Sequence, residues 1–83
     1  MQFEIHEDKY YHQGEELADP AMYVILDAYG DAAKGCRAIF AEFYSSPGLH
    51  LGAIIIIRDV NDAYLCTIKE EIYPTYSEIT IIG

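Results

Sequence analysis

Between Asp19 and Tyr44 apolar residues return at a helical interval, and no other stretch constrains the chain as much. At about 100° per residue, Met22, Ile25, Leu26, Tyr29, Ala33, Cys36, Phe40, Phe43 and Tyr44 fall on one stripe, with Asp27, Asp31 and Glu42 opposite. Asp19 suits an N-cap and Pro20 the first helical position, where its missing N–H costs nothing. Ser45-Ser46-Pro47-Gly48 ends the pattern. Gly30 and Gly35 each cost a helix about 1 kcal/mol relative to alanine, and Gly30-Asp31 has the form of a C′ glycine followed by a new N-cap. The stripe nevertheless keeps its phase across both glycines. The expectation is one long helix, straight or kinked, roughly 35–38 Å from end to end.

Strand signals flank it. Phe3 and Ile5 alternate with Gln2, Glu4 and His6, and Glu7-Asp8-Lys9 can turn the chain so that Tyr10 to His12 pair back as a second arm. Leu49 to Asp59 reads as a strand whose centre, Ile54 to Ile57, is apolar on both faces. A two-residue turn at Asn61-Asp62 would set Ile57 opposite Cys66 and Ile55 opposite Ile68. The other face then carries Ile54, Ile56 and Leu65 among Arg58, Thr67 and Lys69. Pro74 marks a further turn, and Ser77 to Ile82 reads as the last strand. These elements predict an α+β fold in the order β-α-β-β-β, one long amphipathic helix packed on a mostly antiparallel sheet. At 83 residues the chain has room for one core, so residues 1–83 form a single domain. Phe40 would be central to it, and Phe40→Ala would cost about 3–5 kcal/mol.

Charge narrows the function. Fourteen acids against five bases leave a formal charge of −9, which repels phosphate and makes direct binding of nucleic acid or an anionic membrane unfavourable. A basic protein is the natural partner. Residues 1–19 hold Glu4, Glu7, Asp8, Glu15, Glu16 and Asp19 against Lys9 alone. Tyrosine is abundant, with eight copies and no tryptophan, and Tyr10, Tyr11, Tyr73 and Tyr76 fall in arms or turns where a large amphipathic ring suits an interface. The candidate partner-binding set is therefore Glu4, Glu7, Asp8, Tyr10, Tyr11, Glu15, Glu16 and Asp19.

Catalytic patterns are missing: the chain has no Gly-x-Ser-x-Gly elbow, Cys-x-x-Cys, His-Glu-x-x-His or phosphate loop. Cys36 and Cys66 read as inert core thiols, and Glu15-Glu16 and Glu70-Glu71 as solvated charge. A non-enzymatic role is expected. His6 and His12 would meet across a short hairpin near Glu4, Glu7 and Asp8, which makes zinc the one candidate cofactor. Two cysteines are not a secreted disulfide framework, the acidic N-terminus lacks the form of a signal peptide, and no apolar run approaches the roughly 20 residues of a membrane span. Cytoplasmic residence is expected, in the host cytoplasm for a phage product.

A short, acidic, tyrosine-rich chain of this kind resembles the small acidic inhibitors encoded by phages and mobile elements, anti-CRISPR proteins and nucleic-acid mimics among them. The resemblance implies an inhibitor that engages a nuclease such as a CRISPR effector and blocks nucleic-acid loading or a later step. Toxin-immunity proteins share the same physics. The competing reading is a structural or regulatory homodimer joined through the Ile54, Ile56 and Leu65 face.

Overall fold

A computed structural model describes residues 1–46 and 50–83. Its strands are β1 (Gln2–His6), β2 (Lys9–His12), β3 (Glu15–Leu17), β4 (Arg37–Ser46), β5 (His50–Arg58), β6 (Tyr64–Ile72) and β7 (Tyr76–Ile81). One helix, α1 (Pro20–Tyr29), and a 3-10 turn (Gly30–Ala33) connect β3 to β4. All seven strands form one sheet in the order β3-β2-β1-β7-β6-β5-β4. Every pairing is antiparallel.

The long helix is not observed. Asp19 does cap the start, its carboxylate accepting from the Met22 N–H at 3.1 Å with Pro20 behind it. The helix then stops at Gly30, whose φ of +58° favours glycine and whose N–H donates to the Leu26 carbonyl. Gly35, at φ +75°, makes a second turn. Arg37–Ser46 is strand, where Ile39, Phe40, Phe43 and Tyr44 suit a pleated surface. The three-and-four spacing of Phe40, Phe43 and Tyr44 mimics a helical stripe, yet alternation sends Phe43 to one face and Phe40 and Tyr44 to the other. The order is accordingly β-β-β-α-β-β-β-β rather than β-α-β-β-β. The Pro47-Gly48 stop and the Leu49 strand start lie outside the described residues.

Hairpin signals fare better. Glu7 and Asp8, both at positive φ, make the two-residue turn between β1 and β2. Ile57 lies opposite Cys66 and Ile55 opposite Ile68. The connecting turn is longer than two residues: the Asp59 carboxylate accepts from the Asn61 and Ala63 N–H groups at 2.9 Å each, and a bulge follows Ile57. Arg37 and Arg58 face each other in register, a repulsive pair that Asp62 bridges at 2.6 and 3.4 Å.

Strand alternation gives the sheet a helix-covered face and an open face. The buried cluster is Phe3, Val24, Ile25, Ala33, Ile57, Cys66, Ile68 and Ile79, with Tyr10 and Leu17 packed on it. Tyr10 on β2 and Leu17 on β3 thus pack on the same cluster as Ile68 on β6, although β1 and β7 lie between them in the sheet. Leu65, at the bulge, packs toward the core rather than with Ile54 and Ile56, which are half-buried on the open face. Among its described side chains β4 contributes nothing fully buried. The Tyr44 ring lies across Gly52, where any Cβ would collide with it, and this contact fastens β4 to β5.

Core and edge therefore separate in a mutational test on dilute protein. Phe3→Ala, at a fully buried site, will lower the stability read from urea denaturation by about 3–5 kcal/mol. Phe40 is 50% exposed, and Phe40→Ala will cost about 1 kcal/mol rather than the larger figure expected of a core position. Equal losses at the two sites would refute the edge placement of β4.

Candidate functional site

Cross-strand pairing builds one row of side chains on the open face. Glu16 on β3 lies opposite Tyr11 on β2, Tyr11 opposite Glu4 on β1, and Glu4 opposite Tyr76 on β7. Carboxylate and phenol thus alternate over four adjacent strands, a span of about 15 Å at the usual strand spacing. The next row places Gln2 opposite Glu78 and Glu78 opposite Glu71. Tyr76 stacks on Tyr73 at 4.5 Å between ring centroids, and Tyr73 on His50 at 4.7 Å. His50 in turn meets the Glu71 carboxylate at 2.9 Å. The face carries Glu4, Glu16, Glu71 and Glu78 against Lys9, 3.7 Å from Glu16, and Lys69, 3.6 Å from Glu71. The Glu4 and Glu16 side chains remain 66% and 54% exposed.

This arrangement divides the sequence-derived set. Glu4, Tyr11 and Glu16 stand together in the row, and Glu7 and Asp8 form the tip of the same hairpin. Tyr10 and Glu15 belong to the helix-covered face, because they alternate with Tyr11 and Glu16. Asp19 is occupied as the helix cap. Tyr76, Glu78, Glu71 and the Tyr73–His50 stack join the site only because β7 pairs with β1. No local signal marks that pairing.

The two candidate zinc ligands are not brought together. His6 lies on the open face beside Tyr11 and hydrogen-bonds Glu4 at 3.4 Å. His12 lies on the covered face against Phe3 and the helix residue Tyr23. Among the described residues, no three histidine, cysteine or acidic side chains group to hold a metal ion. No helix among them is long and apolar enough to cross a membrane.

A second feature lies beneath the helix. A cleft of about 180 Å³ opens between α1 and strands β4 and β5, lined by Asp19, Met22, Ile25, Cys36, Ile55 and Ile68 among others. Burial and the neighbouring Asp19 push the Cys36 thiol up, and burial pushes Cys66 up as well, so both stay protonated near neutrality. Cys36 is half-buried with its sulfur 3.7 Å from that of Met22, and Cys66 is fully buried. Close by, burial pushes the Glu70 carboxyl up; the Tyr10 hydroxyl opposes this by donating to it, and Asp19 adds to it.

No protein-family model matches the chain, and no curated protein or solved structure does so either.

Glu70 sets a pH-dependent test. Its folded pKa is raised, so the native state holds the proton more tightly than the unfolded chain. Stability is lost as pH rises from the ordinary carboxylate range through the raised value. Glu70→Gln, which keeps a neutral polar group, will raise the melting temperature at pH 7 and change it little below pH 4. A melting temperature lowered by the same amount at both pH values would contradict the raised carboxyl.

Proposed function

We propose that this protein is an acidic binding module that inhibits a nucleic-acid-processing effector by covering a basic surface of it. The observation that carries the reading is the alternating row Glu16–Tyr11–Glu4–Tyr76, with Glu78 and Glu71 in the row beside it. The backbone ladder fixes where the carboxylates stand, and they offer a basic cleft the charge it otherwise receives from phosphate. The tyrosines between them supply rigid contact area and a hydroxyl that can bond the partner when water leaves. Glu7 and Asp8, at the hairpin tip, extend the negative field beyond the sheet. A CRISPR effector nuclease in the cytoplasm of an infected cell is the partner class implied by the resemblance to small acidic inhibitors, and a basic toxin would be seized by the same surface.

The test is Glu4→Lys/Glu16→Lys/Glu78→Lys. These are exposed positions, so the fold will survive with little change in stability. The triple variant will associate with the effector more slowly and inhibit it less, and its deficit will shrink with salt, as the screening length falls from about 10 Å at 0.1 M to about 3 Å at 1 M. Nucleic acid will compete with the parent protein for the captured effector. Equal binding and inhibition by parent and variant at both salt concentrations would remove this face from the interface.

A further inference from the structure

The two edges of the sheet are built differently. The β3 edge is three residues long and carries Glu15 and Glu16, the short and charged form that discourages strand addition. The β4 edge is ten residues long, with its outward N–H and C=O groups unpaired among the described residues. Ile39, Phe40 and Phe43 on this strand are 41%, 50% and 78% exposed, and Leu51 on β5 beside it 60%. Among the described residues nothing covers them: the helix ends at Tyr29 and packs on the other strands.

We infer that β4 is a homodimer seam, pairing antiparallel with β4 of a second copy about a two-fold axis so that the two sheets become continuous. Backbone geometry demands an extended partner, since only another strand satisfies a row of alternating donors and acceptors. Charge makes this edge the place where a copy can dock. The chain carries −9 overall, but Arg37–Ser46 holds one base, Arg37, and one acid, Glu42, and is neutral. Two molecules that repel each other elsewhere meet here with the least of that cost, and the Glu–Tyr rows lie toward the opposite edge and stay free. A strand is also self-complementary under a two-fold, so each exposed phenylalanine finds apolar residues of the same segment. Ile39, Phe40 and Phe43 offer roughly 300 Å² per copy, and the open backbone and flanking atoms bring the contact toward the roughly 600 Å² per partner at the low end of specific interfaces. This seam is distinct from the Ile54, Ile56 and Leu65 face expected from the sequence, and it does not depend on the proposed inhibitory role.

Sedimentation over a range of protein concentrations, with amide hydrogen exchange on the same samples, tests it. The parent will show a monomer–dimer equilibrium, and the outward-facing, alternate amides of Phe40–Ser45, beyond the bulge at Ile39, will be protected at high concentration and released on dilution. Phe43→Lys, at an exposed site, will keep the monomer fold by circular dichroism and raise the dimer Kd at least tenfold. Four outcomes would overturn the inference. One is a parent that stays monomeric at the highest concentration. Another is a dimer whose outward β4 amides exchange freely. The third is a dimer whose Kd is unmoved by Phe43→Lys. Protection of these amides only on adding an unrelated extended peptide would assign the edge to a foreign strand and equally reject the second copy.

Discussion

The pairing of the first strand with the last holds the molecule together. β1–β2–β3 and β4–β7 are each a run of hairpins that the chain can form locally, and α1 merely carries it from one run to the other. What joins them is the short ladder Gln2–Glu78, Phe3–Ser77 and Glu4–Tyr76, reinforced by the N-terminal amine of Met1 donating to the Ile79 carbonyl at 2.6 Å. The two most buried apolar side chains along this seam, Phe3 and Ile79, are fully enclosed, and Ser77 between them is fully buried as well. Burying Phe3 and Ile79 gives the seam the apolar driving force that three backbone pairs alone lack. The candidate binding rows cross this seam, so their geometry is as firm as the core beneath it.

The distribution of burial follows from how little helix there is. Ten helical residues cannot cover seven strands, so Tyr10 and Leu17 from the β2–β3 end help to close the core cluster. That cluster takes Val24 and Ile25 from the helix, and no described side chain of β4 is fully buried in it. The same geometry sorts the acidic residues. Glu4 and Glu16 stay on the solvated open side, whereas Glu70 is drawn beneath the fold, where its charge is disfavoured. Charged residues that look alike in composition thus serve different ends: some form the field a partner meets, one is a source of instability at neutral pH, and Asp19 satisfies a helix terminus.

Where two neighbouring segments meet through a short turn, the sequence carries enough information to place them. The Asp19-Pro20 helix start, the Glu7-Asp8 turn and the opposition of Ile57 to Cys66 all rest on interactions within a dozen residues, which turn chemistry and alternation encode directly. Segment 37–46 is different. Its phenylalanines and tyrosine satisfy a period of 3.6 as well as a strand, and the choice rests on whether β5 is present to accept a ladder. Gly30 and Gly35 were the local clue, since both adopt positive φ and together end the helix before the stripe does.

The sequence by itself determined the charge, the concentration of acid and tyrosine near the N-terminus, the helix start, the Glu7-Asp8 turn and the register of Ile55 and Ile57 against Ile68 and Cys66, because composition and short-range turn geometry are local properties. Tertiary structure alone decided which residues share a surface. Glu4 and Tyr76 are neighbours because β1 pairs with β7, and Tyr10 parts from Tyr11 because strand alternation becomes a division between core and solvent only once the sheet has a covered side. His6 and His12 separate for the same reason. Long-range pairing is chosen by the burial of side chains such as Phe3 and Ile79 from opposite ends of the chain, and that burial is a property of the whole fold.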